Sequence, residues 1–148
     1  MPRQALSLLD RIDQPGTSKG QYLFLKGDAL RNLENYQDAV PLLVAAVDLA
    51  PSKIDAWMAL GWCYKRIGRL DDAIDSLERA HEVQPAEPLI EYNLACYYSL
   101  KGVKQQALDH LSRAINTNPV FKEMVGREPD FDPIRSDPGF QALVSVTV

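Results

Sequence analysis

Apolar residues return every three or four positions along most of this chain. That spacing places them on one face of an α-helix. Residues 3–13 carry Ala5, Leu8, Leu9 and Ile12 on one such face and read as a helix, followed by a short linker, Gln14-Pro15-Gly16-Thr17-Ser18. From Gly20 onward, amphipathic stretches of about 14 residues follow one another with short breaks. Gly68 and Gly102 mark two of the breaks, where a helix can end in a left-handed cap. Glu34-Asn35 stands at the corresponding earlier break, and Asn35 is expected to cap the next helix with Asp38 three residues on. Ser52 with Asp55 reads as a similar capping pair. Pro51, Pro85 and Pro119 stop helices, whereas Pro41 falls early enough in one to be tolerated. Lys65, Arg66 and Arg69 gather at one helix end and Asp71-Asp72 at the next start, as the helix dipole favours.

The breaks and prolines are evenly spaced. Frames of 34 residues beginning at Gly20, Ile54 and Pro88 align position by position. The fourth position holds Leu23, Trp57 and Glu91, and the seventh Lys26, Leu60 and Leu94. A small residue fills the eighth: Gly27, Gly61 and Ala95. Leu30, Tyr64 and Tyr98 follow at the eleventh, and Ala39, Ala73 and Ala107 at the twentieth. The later positions are Leu43, Leu77 and Leu111, then Ala46, Ala80 and Ala114, then the three prolines. The small residues predict close approach of two helix backbones, with Leu60, Tyr64 and Leu77 filling the space beside them. Trp57 and Tyr64 are assigned to the core.

This pattern resembles the tetratricopeptide repeat (TPR) family, most closely in the middle frame: Trp57, Leu60-Gly61, Tyr64, Ala73, Leu77, Ala80 and Pro85. The first frame departs at Lys26 and Leu30, the third at Glu91. The resemblance implies an all-α fold, a right-handed α-α superhelix. It divides the chain into an N-terminal half-repeat helix and linker (1–19), three repeats (20–53, 54–87, 88–121) and a C-terminal capping segment (122–148). The last segment is similar to the ends of bacterial TPR arrays through Asp130-Phe131, Ile134-Arg135, Asp137-Pro138, Phe140 and Leu143. Phe131, Ile134 and Phe140 are expected to plug the exposed end of the stack. Asp137-Pro138 makes a good helix start.

Composition narrows the function class. The chain has 148 residues, 46% hydrophobic and 24% charged, with a net charge of −4. Basic surface drives nucleic-acid affinity, so no nucleic-acid partner is expected, and no apolar run is long enough to span a membrane. The opening residues lack a long apolar stretch and a cleavage site, which makes a cytoplasmic protein the expectation. His81 and His110 have no metal-ligand spacing and read as surface or interface histidines. Cys63 and Cys96 read as buried or groove-lining apolar residues rather than a disulfide or a nucleophile. The carboxylates Asp71, Asp72, Asp75 and Glu78 read as a solvated helix face. No phosphate loop or catalytic triad is present, so the expectation is no enzyme, no catalytic residue, no cofactor and no metal.

In TPR arrays the first helix of each pair lines a concave wall. The resemblance therefore implies a partner-binding groove containing Phe24, Asp28 and Arg31 from the first frame, Met58, Trp62, Lys65 and Arg66 from the second, and Tyr92, Asn93 and Cys96 from the third. A TPR subclass holds chaperone-tail carboxylates with Lys, Asn and Arg. The matching positions here are Phe24, Asp28, Ala59, Leu89 and Asn93, four of which lack the needed polar or basic group, so that clamp is excluded. The expected function is noncatalytic binding of a protein or peptide segment with apolar or aromatic anchors and acidic flanks, as an adaptor or scaffold. Two alternatives stand beside it: a small TPR chaperone of a secreted or assembly client, and a structural subunit of a larger TPR complex. A monomer or weak self-association is expected.

Overall fold

A computed structural model describes residues 18–145. The expected half-repeat helix over residues 3–13 lies outside the described residues. Among the described residues all regular structure is helical, in keeping with the all-α class. They divide into two compact units at Gln84 and Pro85.

The first unit contains α1 (Lys19–Asn32), α2 (Tyr36–Leu49), α3 (Ile54–Arg66) and α4 (Leu70–Val83). Ser18 starts α1 by accepting a hydrogen bond from the Gln21 amide at 3.0 Å. Gly27 and Gly61 sit where α1 meets α2 and α3 meets α4. A Cβ on Gly61 would stand 2.1 Å from Leu77 Cδ2, and one on Gly27 2.8 Å from Leu43 Cγ. Ala39, Leu43, Ala46 and Val47 of α2 pack with Ala56, Ala59, Leu60 and Cys63 of α3 in one buried cluster. Trp57 and Tyr64 border it, half-buried. The Trp57 indole also donates to the Pro51 carbonyl at 2.8 Å, fixing the turn before α3.

The second unit contains α5 (Pro88–Lys101), α6 (Lys104–Thr117), α7 (Val120–Val125), a 3-10 helix (Pro129–Ile134) and α8 (Pro138–Val144). Phe131, Ile134 and Phe140 are all buried in this unit. Phe131 lies 5.7 Å from both Tyr92 and Phe140, centroid to centroid. The Arg135 guanidinium donates to the carbonyls of Val125 and Glu128, at 3.2 and 2.7 Å, and holds the closing segment against itself. Asp137 caps α8 by accepting from the Phe140 amide, and Lys104 of α6 pairs with it at 3.0 Å.

The same turn joins the helices of every pair. Asn35, Arg69 and Val103 each donate their backbone amide five residues back, to Leu30, Tyr64 and Tyr98, at 2.9, 2.8 and 3.0 Å. The preceding residue takes a left-handed conformation: Glu34 at φ 61°, Gly68 at 81°, Gly102 at 83°. This is the Schellman closure of a helix C-terminus. It corrects one expectation. Asn35 does precede α2, but its side chain makes no capping bond, because the turn dictates that residue's backbone whatever its side chain. The Ser52 pair is corrected too: Lys53 precedes α3, again without a side-chain cap. Pro51, Pro85 and Pro119 each stand two residues beyond a helix end, as their sterics require.

Candidate functional site

The ten residues read as a groove separate into distinct environments. Phe24, Asp28 and Arg31 lie on α1, and Met58, Trp62, Lys65 and Arg66 on α3, all within the first unit and all at least partly exposed. Phe24 packs one side on the unit's core. Its other side borders a cavity of 370 Å³, lined also by Gln21 and Leu25 of α1, Ala46 of α2, and Lys53 and Asp55 at the start of α3. Positions two, five and six of the first frame and position two of the second therefore converge on one depression. Its floor is apolar and its rim carries an ammonium and a carboxylate.

Farther along the same two helices the surface is charged. Arg31 Nε donates to Asp28 Oδ1 at 2.8 Å, an ion pair one turn apart on α1. Both groups act on the Cys63 thiol of α3. Burial, opposed by Arg31 and reinforced by Asp28, pushes that thiol up to about 11. Cys63 is fully buried and protonated, so it contributes no nucleophile. Trp62 is half-buried, and its ring is flanked by Lys65 Nζ at 5.6 Å and the Arg66 guanidinium at 4.7 Å. Indole and cations attract through the ring quadrupole. The result is a half-buried indole with two cations over its ring.

The third-frame residues behave differently. Tyr92 and Cys96 are each only 3% exposed, beneath the closing segment. Tyr92 stacks on Phe121 at 5.0 Å and meets Phe131 edge-on. They do not line an open surface, and the groove reading is corrected for both. The cause is the closing segment: its phenylalanines cover the α5 face that an open repeat would present. Asn93, the remaining third-frame residue, is half-buried.

One polar cluster escaped the reading of the sequence. Glu91 and His110 are buried, with Glu91 Oε2 2.5 Å from His110 Nδ1. Arg113 Nε donates to both Glu91 oxygens at 3.3 Å, and the Tyr98 ring lies parallel to the imidazole at 5.5 Å. A signal existed. Glu91 occupies the fourth register position, held elsewhere by Leu23 and Trp57, and His110 and Arg113 follow one turn apart on the paired helix. A carboxylate at an apolar register position needs such partners. Burial closes the cluster to a substrate, and its role is to satisfy charge inside the second unit.

Comparisons with known proteins agree with this architecture. The tetratricopeptide repeat family model matches residues 24–88. The chain is 26% identical to the peroxisomal targeting signal receptor of Pichia angusta over 93% of its own length and 26% of the receptor's. It is also 26% identical to the general transcriptional corepressor ssn6 of Schizosaccharomyces pombe, over 64% of this chain and 9% of that protein. The chain thus spans a small part of these curated relatives. Among solved structures, MamA superposes with a TM-score of 0.80 at 19% identity, covering 97% of this chain and 82% of MamA. YrrB, described as a TPR protein with an unusual peptide-binding site, superposes at 0.75 with 26% identity, covering 86% of this chain and 66% of YrrB. With its helix pairs, its close-approach glycines and its family match in accord, the chain carries tetratricopeptide repeats, matched by the family model over residues 24–88.

Proposed function

We propose that this chain is a noncatalytic interaction module that holds a segment of a partner protein on the α1–α3 face of its first unit. The observation that carries the reading is the depression beside Phe24, continued along α3 by Trp62 with its two cations. A cavity of 370 Å³ is large enough to seat a bulky apolar side chain. Arg66, which is exposed, and Lys65 favour acidic residues beside that anchor. The helices are packed before a ligand arrives, so binding orders the peptide but not the receptor. The peptide-binding site named for YrrB and the targeting-signal receptor among the relatives support a peptide ligand for this face.

Selection from a displayed peptide library, followed by fluorescence anisotropy on the recovered peptides, tests the reading. Peptides with an aromatic or aliphatic anchor and acidic flanks are expected. Phe24→Ala and Trp62→Ala each weaken them about 30-fold, the usual consequence of removing a central apolar anchor. Arg66→Glu weakens them most at low salt. Peptides that bind all three variants as well as the parent protein would remove the site from this face.

A further inference from the structure

The buried side of α5 carries chemistry as well as rings. Tyr92, Cys96 and Ser99 fall on one helical face, at separations of four and three residues. Glu128 and Asp130 stand opposite, at the start of the 3-10 helix. The Cys96 sulfur, a Glu128 carboxylate oxygen and an Asp130 carboxylate oxygen all lie within 4.8 Å of one another. Cys96 and Asp130 are more than nine-tenths buried, while Glu128 keeps part of its surface in water.

A thiol and two carboxylates brought this close, two of the three groups buried, make a ready set of donor atoms for a cation. The Tyr92 phenol, on the same face, hydrogen-bonds with Cys96. The surroundings are held in place. Glu128 Oε1 accepts from the Asp130 amide at 3.1 Å, Ser99 Oγ donates to the Asp130 carbonyl at 2.8 Å, and Phe121 and Phe131 fix the Tyr92 ring.

We propose that Cys96, Glu128 and Asp130 form a binding site for a divalent transition-metal ion of the zinc class. One thiolate with two carboxylates is a mixed sulfur and oxygen donor set. Zinc and cobalt accept such a set, whereas magnesium and calcium draw nothing from the sulfur. Donor atoms around tetrahedral zinc stand about 3.5 Å apart, so modest side-chain rotations close the site. The wet side of Glu128 leaves the fourth position to water. On binding, a sulfur–metal bond replaces a water–metal bond, and the thiol proton passes to solvent. The Tyr92 hydroxyl, hydrogen-bonded with Cys96, donates to the thiolate from outside the coordination shell and steadies it. The ion ties the closing segment to α5, so the site is structural.

Titration of the whole protein with Co(II) tests this directly. A thiolate-to-cobalt charge-transfer band and tetrahedral visible bands should grow to one equivalent and vanish when Zn(II) is added. Cys96→Ser should abolish the charge-transfer band. Glu128→Gln, a change at a partly exposed residue that preserves a capping oxygen, should weaken Co(II) binding at least tenfold while leaving the helical circular dichroism intact. Zn(II) should raise the melting temperature of the parent protein more than that of Glu128→Gln. A parent protein that shows no charge-transfer band with excess Co(II) overturns the proposal. So does a band that survives in Cys96→Ser, or Co(II) affinity unchanged in Glu128→Gln.

Discussion

Replacing Gly61 with alanine is the sharpest probe of the helix-pair packing. Alanine ordinarily strengthens a helix interior by about 1 kcal/mol over glycine. Here the added Cβ would lie 2.1 Å from Leu77 Cδ2 and 3.3 Å from the Ala73 carbonyl oxygen. Leu77 has no exposed surface, so its side chain has nowhere to swing, and the carbonyl belongs to helix backbone. The two helices must separate or the leucine must leave its rotamer, and overpacking of this kind costs about 1–3 kcal/mol. The clash outweighs the propensity gain, and a net loss of about 1 kcal/mol or more is expected. Urea unfolding followed by circular dichroism measures it. The pair Gly61→Ala and Leu77→Ala then identifies the cause. Leu77→Ala alone should cost about 2–5 kcal/mol through its cavity. The double variant should lose less than the sum of the two singles, because the shortened side chain makes room for the new methyl group. Gly20→Ala is the control: its Cβ would meet Leu49 Cβ at 3.4 Å, an ordinary contact, so no clash penalty is expected. A Gly61→Ala protein as stable as its parent, or additive losses in the pair, would refute the close-approach argument.

Two further outcomes follow from the turns and the closing segment. Glu34 holds a left-handed backbone at φ 61° where Gly68 and Gly102 stand in the other turns, so Glu34→Gly should raise the urea midpoint by an amount equivalent to about 1 kcal/mol; a lowered midpoint would show that the Glu34 side chain contributes more than its backbone strain costs. The hydrogen bond with Lys104, then that from the Phe140 amide, holds the Asp137 carboxyl below its ordinary 3.8. A depressed folded-state pKa gives stability that is complete above the unfolded value and lost as the pH falls through the folded one. The melting-temperature advantage of the parent over Asp137→Asn, which can still cap α8, should therefore be constant near neutrality and shrink below pH 3.8. An advantage independent of pH would deny the ion pair any part in it.

The repeat register was legible because it is enforced by packing that recurs. Gly61, Leu77 and Ala73 fill one another's space, and in the first two frames a Cβ at the eighth position would run into a buried leucine. The turns were legible in part. Gly68 and Gly102 announce a left-handed residue, while Glu34 adopts the same conformation without a residue type that favours it. The Asn35 and Ser52 caps were misread because the rule for isolated helix starts was applied to starts whose geometry belongs to the preceding turn. On the candidate site, Phe24 and Trp62 have the partial exposure that a groove residue needs, but Tyr92 and Cys96 do not. Repeat register alone assigns those four equivalent faces. Only the three-dimensional course of residues 119–145, folding back over α5, distinguishes them, and periodicity carries no information on that course.

The departures from the repeat pattern are where this chain becomes particular. At the fourth register position, Leu23 and Trp57 are apolar and Glu91 is not. A buried carboxylate there would be ruinous alone, and removing one member of such a buried pair elsewhere costs about 3–5 kcal/mol. The sequence answers with His110 and Arg113 on the facing helix, both within hydrogen-bond reach of the same carboxylate. Arg113 Nη2 stands 3.1 Å from His110 Nδ1, and that nitrogen lies 2.5 Å from Glu91 Oε2, so one of the two atoms of this short contact carries a proton. This cluster makes the geometry of α5 against α6 depend on directional bonds as well as on fit, which an apolar residue at position four would not require. The second unit is thus specified by polar matching and by its closing segment, while the first leaves Phe24 and Trp62 partly uncovered. That contrast is the physical reason for the proposal of ligand binding on the first unit and structural reinforcement in the second.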